Sequence, residues 1–272
     1  MTLDISIDEI MCACISRQMR DGEIVAQGLA TPLVVAGFLL AKRTHAPNLR
    51  FASAIGQGVC DDWGALSLAR IEDFWLGNAT MTVGFVRAAI EALTVLKPVE
   101  FFRPGQIDAQ GNFNNIAIGK DYHKPRMRLP GTGGIPDVSV FSHEVYIYVP
   151  RHSKVTFVEK VDFVSGLGHV PDRPHGAGPQ YAITDLGEFD WAQGRMRLTH
   201  FHPGSSIERI QRKTGFELAI AEEVRVTPLP TEEELRLLRE EIDPLNIRKL
   251  ETLGGSARKD LIRDILAKEG AL

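Results

Sequence analysis

The residues best suited to chemistry lie in three short segments that are rich in glycine and amides. The first is the glycine-rich loop Pro130-Gly131-Thr132-Gly133-Gly134. Glycines let a backbone approach a ligand closely and point its N–H groups at an anion or a developing oxyanion. Many segments of this composition are simple turns, so the loop predicts an oxyanion or anion site only with support from its neighbours. The GxGxxG spacing of dinucleotide-binding loops is absent.

The second segment joins Gly105-Gln106-Ile107-Asp108 to Gly111-Asn112-Phe113-Asn114-Asn115. It fits either a strand that ends in a turn or a polar wall beside the glycine-rich loop. The third segment, Ala54-Ile55-Gly56-Gln57-Gly58, directly follows a predicted buried strand. Ligands of open α/β sheets bind beyond the carboxyl ends of the strands, so this position is favoured for a site.

Four elements in the first part of the chain predict how such a site is positioned. Apolar residues at helical spacing predict a helix over about Ile7 to Met19, and a strand follows over Ile24 to Gln27. Thr31 and Pro32 are typical of an N-cap and a first helical residue, and the helix after them runs to about Thr44. Leu49 to Ala54 completes a β-turn-α-β unit, which favours a parallel sheet.

The rest of the chain is also predicted to be α/β. We expect further strands over Glu100–Phe102, Val138–Ser142, Val145–Val149 and Tyr181–Thr184. Further helices are expected over Val83–Val95, Thr231–Glu241 and Ser256–Lys268. Thr231 with Glu234 forms a capping-box pattern at the start of its helix. The segment from Ser165 to Pro179 is irregular and fits a functional or a mobile loop.

Composition narrows the class of protein. The 272 residues are 44% hydrophobic, enough for a substantial core, and 31 basic residues are mixed with 35 acidic ones for a net charge of -4. This balance shows no footprint for nucleic acid. The sparse, odd set of Cys12, Cys14 and Cys60 favours a reducing compartment. With no signal-peptide pattern and no apolar run that could span a bilayer, we expect a soluble, cytoplasmic protein without membrane contact.

Several segments, taken in their order along the chain, resemble the coenzyme A transferase family I, and in particular β-type subunits such as those of the glutaconate CoA-transferases. The resemblance runs from about residue 8 to residue 248. Its nine segments are Gly28–Pro32, His45–Asn48, Gly105–Asp108 with Gly111–Asn114, Pro130–Gly134, Gly178–Gln180, Thr184–Gly187, His202–Gly204, Thr214–Phe216 and Glu241–Pro244.

The resemblance implies an open, mostly parallel α/β sheet flanked by helices. It implies a heteromer with an α-type partner, an active site at the subunit interface, and an acyl-CoA substrate with no permanently bound cofactor or metal. In this family a glutamate of the β-type subunit attacks the thioester. The glycine-rich loop, including Gly131, Thr132, Gly133 and Gly134, belongs to the acyl and CoA site. In our hypothesis, backbone N–H groups around Gly56 and from Gly131 to Gly134 stabilise negative charge on a thioester oxygen or enolate. Gln57, Gln106 and Asn114 would orient the substrate.

One position departs from the family pattern. With no gap after His45-Ala46-Pro47-Asn48, the position of the glutamate falls on Ala54, beside Gly56 and Gln57. A methyl group cannot attack a carbonyl, so the covalent route is closed there. A related decarboxylase carries cysteine at this position, but Cys60 does not align with it. The hydrolase branch that opens steroid rings also lacks the glutamate and is similar in Val161–Gly168 and Leu229–Thr231.

The resemblance and the missing glutamate predict a β-type domain over 1–248, with a helical tail over 249–272. Hydrolysis or carbon–carbon cleavage of a CoA-linked substrate is expected, with a partner carboxylate as general base. The alternatives are a transferase with its nucleophile supplied elsewhere and a non-catalytic CoA-binding subunit. Three weaker candidates for chemistry remain. His200 with His202 could form part of a zinc site, and Asp61 with Asp62 could replace the missing carboxylate. His169 and His175 could contact a ligand from their loop. Cys12 and Cys14 do not share a helix face.

Overall fold

The computed structural model describes residues 4–28, 31–53, 56–71 and 77–272, which fold into two compact units. The first unit joins Met1–Glu91 to Pro228–Leu272, and the second is Ala92–Thr227. Residue 248, the boundary expected from the sequence, lies inside the first unit. The C-terminal part of the chain therefore packs with the N-terminal part.

The first unit contains the predicted β-turn-α-β unit. Its elements are α1 (Ile7–Arg17), β1 (Ile24–Ala26), α2 (Pro32–Arg43), β2 (Arg50–Ser53), β3 (Gly58–Cys60), β4 (Ala79–Thr82), α3 (Phe85–Arg87), α7 (Glu232–Arg236), a π-helical turn (Leu237–Ile242), a 3₁₀ turn (Ile247–Glu251) and α8 (Gly255–Lys268). β1 and β2 pair in parallel, whereas β3 is antiparallel to both β2 and β4.

The helices of the first unit form for the expected reasons. A capping box between Ser6 and Glu9 begins α1, and Thr231 with Glu234 forms the predicted one at α7. α2 is buried along almost its whole length, from Leu33 to Ala41, as its apolar sequence predicts. These contacts position the loops that follow β1 and β2.

A buried ion cluster joins the C-terminal segment to α1. The guanidinium of Arg248 is fully buried and lies 2.8 Å from Asp8, 3.2 Å from Glu9 and 2.8 Å from Asp243. Glu251 accepts a hydrogen bond of 2.9 Å from the N–H of Leu33 at the start of α2. Removal of a single member of such a cluster leaves buried charges without partners, so the segment around residue 248 is tightly held.

The second unit contains the larger set of strands. Its elements are α4 (Leu93–Leu96), β5 (Val99–Phe102), β6 (Gln106–Ile107), β7 (Phe113–Asn114), β8 (Ala117–Ile118), β9 (Met127–Arg128), α5 (Ile135–Phe141), β10 (Glu144–Val149), β11 (Pro179–Thr184), β12 (Gly187–Ala192), β13 (Arg195–Phe201), α6 (Ile207–Lys213) and β14 (Ala219–Val226). Parallel pairs join β5, β10 and β11 and also β13 and β14, while antiparallel pairs join β11, β12 and β13. The α/β class is confirmed.

Two of the predicted elements differ from those found in the structure. The strand predicted over Val138–Ser142 is wrong, because residues 135–141 form α5 with Gly134 as N-cap and Pro136 in the first turn. Ile135 and Val138, at helical spacing, pack against the buried core, which overrides the strand preference of the β-branched residues. The predicted helix over Val83–Val95 divides into α3, a π-helical turn (Ala88–Ala92) and α4.

The other predicted strands of this unit and the irregular segment are confirmed. Glu100–Phe102, Val145–Val149 and Tyr181–Thr184 lie in β5, β10 and β11. Residues 165–178 form no helix or strand element. Within the described ranges, no helix is long and apolar enough to cross a membrane.

Candidate functional site

In the first unit, β1 and β2 end at the same edge of the sheet. The N–H of Gln27 donates to the carbonyl of Ala52 at 2.9 Å, which continues the parallel pairing of Ala26 with Ala52. Gln27 and Ser53 therefore follow neighbouring strands at the carboxyl edge, where ligands of α/β sheets bind. Ala54, which the sequence resemblance predicts to stand at the position of the family's glutamate, comes next in the chain and lies outside the described residues, as does Ile55.

Gly56 and Gln57 form the turn from β2 into β3, in which Ser53 pairs with Gly58. The Gly56 N–H, expected to face a ligand, donates instead to the Ser53 hydroxyl at 2.9 Å. Gln57 has a φ of 55°, its carbonyl accepts from the Val83 N–H at 2.9 Å, and its side chain is exposed. The turn is thus held by the protein, and the Gln57 amide is left facing solvent.

Two buried polar groups at this edge were not predicted from the sequence. Within the described part of the chain, Oε1 of Gln27 and Oγ1 of Thr31 are buried and have no hydrogen-bond partner. Thr31 does precede α2, but its side chain makes no capping bond. A polar residue at the end of a buried strand, directly before Gly28, was the signal for Gln27. The apparent capping role of Thr31 concealed its hydroxyl.

The replacement carboxylate considered at Asp61 and Asp62 is not supported by the strand geometry. β3 runs back along β2, so that Cys60 pairs with Phe51, and the two aspartates follow at the opposite edge. There Asp62 lies 3.3 Å from Arg43 in an exposed ion pair. Cys60 is buried, and burial raises the pKa of its thiol to about 11, so it is a structural residue.

In the second unit, the amides of Gln106 and Asn114 face each other in a buried network. Asn114 Nδ2 donates to Gln106 Oε1 at 2.7 Å and to the Ala117 carbonyl at 2.7 Å, and Gln106 Nε2 donates to Asp162 at 3.0 Å. The N–H groups of Asp162 and Ile116 donate to Gln106 Oε1 and Asn114 Oδ1. Because protein groups use every polar atom of both amides, this geometry favours a supporting role over direct contact with a substrate.

The glycine-rich loop is attached to this network through Asn115. The Gly131 N–H donates to the Asn115 carbonyl at 2.9 Å, and the Gly105 N–H donates to the Asn115 side chain at 2.9 Å. Gly131 and Gly133 have φ values of 106° and 53°, which non-glycine residues rarely adopt. Within the described residues, the N–H groups of Thr132, Gly133 and Gly134 meet no protein acceptor, so these three can still donate to an anion or oxyanion.

The histidines considered as weaker candidates for chemistry make contacts with other parts of the protein. His202 is buried, and its two ring nitrogens lie 2.9 Å from the Thr227 hydroxyl and 2.8 Å from the Thr184 carbonyl. His169 stacks on Trp191 and bonds the Pro179 carbonyl, and His175 packs against Phe141. Across the described ranges, no cluster of three or more histidine, cysteine or acidic residues could hold a metal ion.

Residues 9–213 match the family model described as coenzyme A transferase. The β-type subunit of a 3-oxoadipate CoA-transferase from Pseudomonas knackmussii is 31% identical over 86% of this chain and 92% of its own length. The β-type subunit of a glutaconate CoA-transferase from Acidaminococcus fermentans is 31% identical over 87% and 92%. The cholesterol ring-cleaving hydrolase IpdB subunit of Rhodococcus jostii is 29% identical over 85% and 89%.

A solved structure has the same fold. The crystal structure of the decarboxylase AibA/AibB superposes with a TM-score of 0.79 and 28% sequence identity, over 91% of this chain and 99% of the other. The similar proteins thus carry the names of transferases, a hydrolase and a decarboxylase. One fold supports several reactions, so the reaction of a given member depends on the residues of its site and not on the fold.

Proposed function

This chain belongs to the coenzyme A transferase family, and we propose that it is the β-type subunit of a heteromeric enzyme that hydrolyses or cleaves an acyl-CoA substrate without a covalent enzyme intermediate. The proposal is carried by the residue that directly follows β2, Ala54, to which the family resemblance of the sequence assigns the position of the glutamate. An alanine side chain offers no nucleophile. In this proposal a carboxylate of the α-type partner activates water or the substrate as general base.

The glycine-rich loop supports the part of the mechanism that needs an anion site. In our proposal the N–H groups of Thr132, Gly133 and Gly134 stabilise negative charge on a thioester oxygen or enolate. Gly56 and Gly131, which were expected to share this role, already donate to Ser53 and Asn115. Loss of one such donor in acyl transfer typically costs about 10²- to 10³-fold in rate.

Substrate positioning in this proposal falls to the carboxyl edge of β1 and β2. Gln27 and Thr31 offer buried acceptors without protein partners among the described residues, and Gln57 adds an exposed amide at the same turn. Gln106 and Asn114 hold the glycine-rich loop at a fixed position through Asn115. They act on the substrate through the loop that they support.

The test uses the chain purified together with its α-type partner and a panel of acyl-CoA thioesters. We expect release of CoA or of a cleaved CoA product, with no mass increase on either subunit during turnover. In a matched variant, Ala54→Glu, a carboxylate returns to the predicted family position, and a thioester adduct with the mass of CoA less one water is expected on this chain, with the acyl group released as the free acid. Intact-protein mass spectrometry measures both.

Two other functions predict different results in the same experiment. A CoA-transferase with a nucleophile elsewhere, which the two transferase relatives favour, would give a CoA adduct on the unmodified complex. A non-catalytic subunit would bind CoA and release none from any thioester. Either result would end the proposal of hydrolysis or cleavage.

A further inference from the structure

An exposed basic hairpin lies immediately before the glycine-rich loop. It consists of residues 119–128, which are the connection after β8 together with β9, and we call it the basic hairpin. It carries four basic side chains, Lys120, Lys124, Arg126 and Arg128, and a single carboxylate, Asp121, all exposed. This local excess of positive charge contrasts with the net charge of -4 of the whole chain.

Within the described ranges, three of these cations, Lys120, Lys124 and Arg126, take part in no ion pair. The fourth, Arg128, donates to the Tyr122 carbonyl at 2.7 Å, and its guanidinium lies 4.6 Å from the centre of the Tyr122 ring. Arg128 therefore shapes the hairpin, and the other three are free to meet an anion.

The hairpin has a defined shape. The Gly119 N–H donates to Asp162 at 2.8 Å, and β8 pairs with β9 through Ala117 with Arg128 and Ile118 with Met127. Gly119 has a φ of 117°, and a Cβ atom there would lie 2.9 Å from the Arg126 backbone nitrogen, so the two sides of the hairpin touch. The cations are therefore presented by a fixed backbone at the entry to the glycine-rich loop.

The path from the hairpin to the loop is short and hydrogen-bonded. Leu129 and Gly131 donate their N–H groups to the carbonyls of Ile116 and Asn115, at 3.1 and 2.9 Å. The free N–H groups of the glycine-rich loop begin at Thr132, so about four residues, or at most some 14 Å, separate them from Arg128. A ligand with a reactive group at one end and phosphates at the other matches this arrangement.

We propose that the basic hairpin binds the 3′-phosphate and 5′-diphosphate of coenzyme A, an assignment that rests on the proposed function. Lys120, Lys124 and Arg126 contact the phosphates, and the pantetheine arm leads to the glycine-rich loop. Ammonium and guanidinium groups are the standard donors to phosphate oxygens. Because the hairpin is exposed, each contact is modest and sensitive to salt.

The experiment measures binding of CoA, dephospho-CoA and pantetheine to the complex of this chain with its α-type partner by calorimetry. The test variant is Lys124→Ala with Arg126→Ala, which leaves the shape-determining Arg128 in place. The matched control is Arg258→Ala with Lys259→Ala, the same pair of charges removed from the exposed face of α8. We expect the test variant to weaken CoA binding about 10-fold, with pantetheine binding unchanged.

Other results of this binding experiment would overturn either the phosphate assignment or the proposed function. Unchanged CoA binding by the test variant, or an equal loss for CoA and pantetheine, would overturn the phosphate assignment and leave the proposed function standing. Loss of the α-type subunit on purification of the variant would mean that the hairpin contacts the partner protein, and would also overturn it. If the unmodified complex binds no CoA at all, the proposed function itself fails.

Discussion

Gln27 in the first unit and Gln106 in the second are both buried glutamines at the ends of short strands, and their amides have different surroundings. Gln106 bonds with Asp162 and Asn114 through both of its polar atoms. Oε1 of Gln27 has no partner among the described residues. The same side chain thus serves a closed network in one region and an open edge in the other.

The contrast distinguishes side chains that support the glycine-rich loop from side chains that are available to contact a substrate. A buried polar atom without a partner costs about 1–3 kcal/mol, so an unpaired acceptor is retained only where something else compensates. At the carboxyl edge of β1 and β2, a substrate could supply the missing donor. The network around Asn114 needs none, because it already fixes the glycine-rich loop. Two predictions test this division and a third concerns a buried carboxyl of the second unit; they follow in order of decreasing effect.

The largest effect is expected on stability. Gln106→Met keeps the length of the side chain and removes its hydrogen bonds, leaving the Asp162 carboxylate and the Asn114 amide short of partners. We expect the free energy of unfolding to fall by about 3 kcal/mol. Gln27→Met is the matched control, since it removes an acceptor that bonds nothing in the described structure, and it should change stability by less than about 1 kcal/mol. Urea denaturation of both variants gives the two values.

Equal losses for the two methionine variants would break the comparison, because Gln27 would then need a protein partner of its own. A small loss for Gln106→Met would mean that the network around Asn114 does not determine the position of the loop.

A second prediction concerns Glu100, a buried carboxyl with no hydrogen bond or ion pair in the described structure, opposite Val145 on β10. Burial raises its pKa to about 8. Since the unfolded carboxyl ionises near its ordinary pKa of 4.5 and the folded one stays protonated, unfolding releases a proton between these values. Stability should therefore fall as the pH rises, by about 2 kcal/mol between about pH 5 and pH 7.

Glu100→Gln should remove this part of the pH dependence and leave the variant more stable than the parent at pH 7. Glu217→Gln, the same change at an exposed position, serves as the control and should leave the profile as it is. A loss of activity in Glu100→Gln at unchanged stability would contradict this structural role, because the buried carboxyl on β5 would then take part in the reaction.

Much of the fold could be predicted from patterns that are local. α1, α2, β1 and β2 follow from apolar spacing and from the residues that begin and end them. Residues 135–141 were mistaken for a strand because Val138 and Val140 favour β-structure, while the helix depends on packing of Ile135 and Val138 against a core assembled from distant segments. The joining of residues 228–272 to the first unit depends on Arg248, whose three acidic partners come from both ends of the chain.

The segments that form the candidate site could be predicted from the sequence, whereas the contacts of their side chains could not. The glycine-rich loop and the turn after β2 could be identified from composition and from the family resemblance. Whether a given amide faces a ligand or another amide depends on side-chain contacts between residues such as Gln106 and Asp162, 56 positions apart. No local pattern contains that information, and so the buried acceptors of Gln27 and Thr31 were missed.

The third prediction, on activity, addresses the open edge directly. Gln27→Met should lower kcat/KM for the acyl-CoA substrate about 10-fold, because the substrate loses a buried acceptor that no protein group can replace. Gln57→Met removes an exposed amide from the neighbouring turn, where water competes for the same contact, and should cost about 3-fold or less. Steady-state kinetics of the complex with its α-type partner distinguish the two. If Gln57→Met has the larger effect, the substrate contacts the outer face of the turn after β2, and the unpaired atoms of Gln27 and Thr31 are a cost in stability without a role in binding.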